Sequence, residues 1–173
     1  MTGEGGGTVR EGLIVGGIAA VTVAVFYALF DLLAARGSLY TPSVLGQAVF
    51  RGLRSPSALH LPLTPDSAAT LWYSALHLAL ALAIGLTVTG LVSHAERHPS
   101  RAGPVAFVVV AGFVVTILAV GWLTRDIRQV LPWWSIVVAN ALAVVVAGRY
   151  LLRRHPGLRG RLVPAGTRRI PQS

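Results

Sequence analysis

Cysteine and lysine are both missing from this chain, and acidic residues number only 6 among 173. Without cysteine there is no disulfide, no thiolate metal ligand and no cysteine nucleophile, and cysteine usage says nothing about redox compartment. Without lysine, all 15 basic residues are arginine and the formal net charge is +9. Charge of either sign is scarce at 12% of the chain, about half of what a soluble domain carries. There is also no P-loop, no dinucleotide-binding glycine fingerprint and no G-x-S-x-G elbow. No serine sits with a histidine in a recognisable hydrolytic motif, and no enzymatic activity is suggested.

What is present is apolar. Hydrophobic residues make up 54% of the chain, and the mean hydropathy is +0.67. This is the composition of a membrane protein, and the length suits one compact unit. Four segments reach the roughly 20 apolar residues needed to cross a bilayer: 13–35, 68–93, 104–124 and 131–152. The first is too long for the apolar part of a signal peptide, and Asp31 and Arg36 crowd the small-residue site at Ala34-Ala35. It is expected to remain as a span. The expected fold is an all-α integral membrane protein, a four-transmembrane-helix bundle with a short interfacial helix in its first outer loop.

Four spans put both termini on one side of the membrane. That side would hold Arg10, Arg97, Arg101, Arg149, Arg153, Arg154, Arg159, Arg161, Arg168 and Arg169, and the other Arg36, Arg51, Arg54, Arg125 and Arg128. The excess places residues 1–12 and the basic tail 153–173 in the cytoplasm by the positive-inside rule. Trp72, Trp122, Trp133 and Trp134 all fall at the opposite ends of the spans, where an aromatic belt belongs. The expected location is therefore a cytoplasmic (inner) membrane of bacterial type. The implied partner of the arginine-rich face is anionic lipid rather than nucleic acid, because the arginines flank apolar segments and lack interleaved aromatics.

Two inner ends look alike, ERHPSR at 96–101 and RRHPGLR at 153–159, and are read as a shared stop signal rather than a duplication. In the outer loop 36–67, Thr41-Pro42 suggests a helix N-cap and first-turn proline, opening an amphipathic helix over about 42–54. That helix would lie in the outer interface or cover the mouth of the bundle. Residues 54–67 read as loop. Small residues offer packing faces: Gly12 and Gly16 in the first span, Ala81, Gly85 and Thr89 in the second, and Ser135, Ala139, Ala143 and Ala147 in the fourth.

Each span carries one polar group near mid-depth. At about 1.5 Å per residue, Tyr27, His77, Thr116 and Asn140 all lie roughly 12–14 Å inside the outer boundary, with Asp31 one turn above Tyr27. These five are either interhelical hydrogen-bonding groups or a polar pocket in which His77 titrates and Asp31 relays protons. Arg36, Arg125, Asp126 and Arg128 would form its outer rim, unless Asp126 only pairs locally. His94 and His98 share a helix face as weak candidate metal ligands, while Glu96 between them points elsewhere. No metal is expected. Haem would need a second intramembrane histidine in the chain, and no cofactor is expected. The leading expectation is an accessory, scaffolding or regulatory protein of a larger membrane assembly, or a homo-oligomer. The alternative is a ligand-, quinone- or proton-handling protein built on the Asp31–His77 pocket.

Overall fold

The computed structural model describes residues 3–52, 66–128 and 131–155, which are all-helical, with no strand among them. Helix α1 spans Gly3–Leu33, α2 Tyr40–Phe50, α3 Ser67–Arg97, α4 Ala102–Leu123 and α5 Trp133–Arg154. Single 3-10 turns occupy Pro99–Arg101 and Arg125–Ile127. Helices α1, α3, α4 and α5 are each long and apolar enough to cross a membrane. The loop 54–65, Arg54 itself and the tail with Arg159, Arg161, Arg168 and Arg169 lie outside the described residues.

Helix α1 begins at Gly3 rather than 13, although GEGGG is a poor helix-forming sequence. Contacts of α1 with the rest of the chain come further on, at Glu11 with His155 and at Gly12 with α3. Helix α3 continues to Arg97 rather than stopping at 93, and its 31 residues reach about 46 Å, beyond the hydrocarbon thickness. The two look-alike ends, at His98 and His155, lie on the side labelled inner after the sequence expectation, as the side carrying α2 is labelled outer, and they share a stop. His98 and His155 each precede a proline, and each leaves the helical region at φ −127°, ψ 79° and φ −118°, ψ 72°. The proline ring crowds the residue before it out of the α conformation, so the helix ends there.

Helix α1 is central, packing along α3 and along α5. Its crossing with α3 is a backbone-to-backbone contact built from the expected small residues. A Cβ on Gly12 would lie 2.7 Å from Leu86 Cα, and one on Gly16 would lie 2.5 Å from the Ala81 carbonyl oxygen. From the other side, a Cβ on Gly85 would strike the Gly16 nitrogen and the Gly12 carbonyl oxygen. Close approach of the two backbones brings many atoms into van der Waals contact, and dispersion holds this pair together. Helix α5 buries Ser135, Ala139, Ala143, Ala147 and Leu151, one residue per turn along one face. Leu151 and Ala147 meet Val15 of α1 in a small inner core. Helix α4 is peripheral, with only Ile117 and Gly121 buried.

The larger core sits at the outer end and is organised by α2. Val44, Leu45 and Ala48 of α2 pack with Ile117 of α4, Ile127 of the turn, Leu131, and Ile136 of α5. Seven of the eleven α2 residues are buried. Gly46 lets α2 press onto the first turn of α3, where a side chain would strike the Ala69 carbonyl. Helix α2 is thus a plug between the outer ends of the long helices, and covers the mouth between them.

Candidate functional site

The outer end is built around two aspartates. Helix α2 opens at Tyr40 with Leu39 as its N-cap, and no side chain of the N-cap residue closes the first turn. Thr41 is therefore inside the helix instead of capping it. Its backbone N–H is one of the donors a helix start leaves without an internal partner. Asp31, fully buried at the end of α1, supplies the acceptors: Oδ2 takes the Thr41 N–H at 2.7 Å and Oδ1 takes the Thr41 hydroxyl at 2.7 Å. The carboxylate thus caps α2 from another helix, with the charge at the positive end of the α2 dipole. The chain returns to Thr41 through a left-handed turn at Ala35 (φ 54°), closed by the Arg36 N–H on the Asp31 carbonyl at 2.9 Å. Asp31 therefore uses main chain and side chain alike to hold the α1–α2 junction.

Asp66 does the same at the other end of α2. As N-cap of α3 it accepts the Ala69 N–H at 2.9 Å through Oδ1, while Oδ2 receives Arg51 Nε–H at 2.9 Å from the C-cap of α2. The Ala69 N–H first, and the Arg51 side chain second, hold its carboxyl below the usual carboxylate range. Arg36 lies over the Tyr40 ring, 5.3 Å from its centroid. Burial raises the Tyr40 hydroxyl above its ordinary value, and Arg36 opposes the rise.

The remaining members of the expected polar layer do not hydrogen-bond to one another. Ser135 Oγ donates to the Pro132 carbonyl at 2.7 Å, so the Tyr27 hydroxyl approaches it as the donor, at a long 3.5 Å. Thr116 Oγ1 donates to the Gly112 carbonyl and the Asn140 amide to the Ile136 carbonyl, both at 2.8 Å within their own helices. The His77 ring stacks on Tyr73, one turn away, and lies against the Ala20 backbone of α1. His77 Nε2 is buried with no hydrogen-bond partner. Thr41, Val44, Leu45 and Leu131 line a shallow crevice beside α2 that has no room for a water molecule. None of His77, Thr116 and Asn140 lines it. At the rim, Arg125 Nε lies 3.4 Å from Asp126 Oδ1, both exposed, and Arg125 also covers the Trp122 ring. Arg128 is exposed.

A constellation at the opposite end was not foreseen. His155, just past α5, has Nδ1 2.7 Å from Glu96 Oε2 of α3 and Nε2 3.1 and 3.2 Å from the two oxygens of Glu11 of α1. Neighbouring His94 and His98 stack with ring centroids 4.5 Å apart, and an Arg101 guanidinium nitrogen is 3.3 Å from His94 Nε2. Glu96 turns away from this pair towards His155. Among the described residues, no three side chains converge as metal ligands. The imidazole of His155 stands between the two carboxylates rather than beside them.

One weak sign of this inner cluster was present in the sequence, the repeated Arg-His-Pro stop that places a histidine at each helix end. Its partner Glu11 is 144 positions away, beyond any local pattern. Asp66 was more legible, since Asp-Ser-Ala-Ala ahead of an apolar run is an ordinary N-cap signal. No family model, curated protein or solved structure matches this chain.

Proposed function

We propose that this chain is a multi-pass membrane protein with an accessory or scaffolding role, working through contacts with other membrane helices, its own or another protein's. In this reading it lies in a cytoplasmic membrane with both termini inside, and its arginine-bearing inner ends meet anionic headgroups. The observation that carries the proposal is how the polar groups are used. Asp31, Asp66, Glu11, Glu96 and Asp126 each bond to another residue of the chain. Thr116 and Asn140 satisfy themselves within their helices. Among the described residues these acidic, hydroxyl and amide groups are taken up by bonds within the chain, whereas α4 turns Phe107, Val110, Val115, Leu118 and Trp122 outward, each more than half exposed.

The particle extracted with its native lipid tests this. Native mass spectrometry is expected to find more than one chain, or one chain with a defined membrane-protein partner. A strict monomer with neither would overturn the proposal.

A second reading rests on His77, whose buried Nε2 has no partner. A buried ring nitrogen of that kind accepts a proton or a ligand hydrogen bond when one arrives, as a proton- or quinone-handling protein would require. His77→Ala discriminates: loss of a bound ligand or of proton flux with normal folding favours this reading, and no change in either removes it.

A further inference from the structure

The inner cluster of Glu11, Glu96 and His155 joins three helices through one ring. His155 is placed with little slack, because its backbone N–H is bonded to the Leu151 carbonyl at 3.0 Å and Leu151 is buried in the inner core. The three side chains are 12%, 17% and 33% exposed for His155, Glu11 and Glu96. They are sheltered enough to have few competing water contacts, and open enough to exchange a proton with solvent.

The geometry counts protons. An ionised carboxylate only accepts hydrogen bonds, and a neutral imidazole carries one N–H. Yet both ring nitrogens face carboxylate oxygens at 2.7–3.2 Å. With both carboxylates ionised, two N–H···O bonds need the imidazolium, with Nδ1–H donating to Glu96 and Nε2–H donating to Glu11. If that ring loses one proton to water, a nitrogen lone pair is left against an oxygen lone pair, and one of the two helix-to-helix bonds becomes repulsive. The surrounding charged groups are otherwise engaged or exposed. On α3, His94 and His98 stack on each other, Arg97 Nε–H returns to the Ser93 carbonyl, and Arg101 beyond them reaches His94. On α5, Arg154 covers Tyr150, and Arg149 and Arg153 are exposed, as is Arg10 on α1.

We propose that Glu11, Glu96 and His155 are a proton-operated latch that closes the inner ends of α1, α3 and α5 when His155 is an imidazolium and loosens them when it is neutral. The outer end, held by Asp31 and Asp66, stays shut in both states. The latch makes the inner end the part of the bundle that responds to pH, and it lies where the basic tail leaves α5.

The absence of cysteine makes the test direct. Spin labels on Val9→Cys and Leu152→Cys, both at exposed positions, report the separation of α1 and α5 at this end by electron–electron resonance in lipid nanodiscs. Between about pH 5.5 and about pH 9, which brackets imidazole titration, the distance distribution is expected to lengthen and broaden. Glu11→Gln in the same labelled chain is expected to stay narrow at both pH values, because its amide donates to the neutral ring nitrogen. His155→Ala is expected to be broad at both. An unchanged distribution in the otherwise unmodified chain, or a Glu11→Gln distribution that broadens at alkaline pH, overturns the latch.

Discussion

At the scale of single residues, Asp31 shows how a buried carboxylate can cap a helix from another helix. Both of its oxygens are taken by Thr41. Asp31→Ala is expected to cost about 2–4 kcal/mol in unfolding free energy, by leaving two buried donors without acceptors. Asp31→Asn should recover most of that loss, because one amide oxygen keeps the Thr41 N–H and the Thr41 hydroxyl can turn to accept from the amide. A proton carrier would differ in activity, which would be lost in the Asn variant although the fold was kept. Asp66 adds a pH dependence of known sign. Its carboxyl is held below the usual range, so its bonds to Ala69 and Arg51 support the fold above the ordinary carboxylate pKa. That support is lost as pH falls through the lowered folded-state value. Hydrogen-exchange protection factors at the first turn of α3, corrected for the intrinsic pH dependence of exchange, should therefore fall in acid, and Asp66→Asn should remove most of that change. The place of Asp31 one helical turn from Tyr27 was legible in the sequence. Its partner was not, because Thr41 comes within reach only after the chain reverses through Ala35 and Gly37.

At the scale of elements, the contact of α1 with α3 rests on glycine. Gly12, Gly16 and Gly85 have no room for a Cβ, whereas Gly17 and Gly90 on the same two helices meet nothing within 4 Å. Gly85→Ala is expected to destabilise the pair by about 1–3 kcal/mol through overpacking. Gly17→Ala should be neutral, or stabilising by up to about 1 kcal/mol from helix propensity. Unfolding titrations of the two variants in one detergent compare them directly, and equal effects would contradict the packing described. The small-residue faces of α1, α3 and α5 could be read from the sequence because helical spacing alone places them. The role of α2 could not. Its apolar positions suit an interfacial helix and a plug equally well, and only Gly46 against Ala69 and the outer core decide for the plug. The start of α1 was obscured by its glycines, whose poor helix propensity gives no local signal for a helix there.

At the scale of the whole molecule, four long apolar helices and one short plug make a bundle fastened at both ends by acids and by backbone contact between α1 and α3. The four long apolar helices were legible because length and composition are sufficient to mark them. The inner fastening was not, since it depends on residues from the first and last helices meeting. The membrane reading is the frame for every other proposal, and it has one direct test. With no native cysteine, single cysteines at Arg10, Ser38, Ser100 and Asp126 can each be probed from either side of sealed cells or vesicles with an impermeant maleimide. The account predicts labelling of positions 10 and 100 only from the cytoplasmic side, and of 38 and 126 only from the outside. Labelling of 10 and 100 from opposite sides, or of all four from one side, would contradict it.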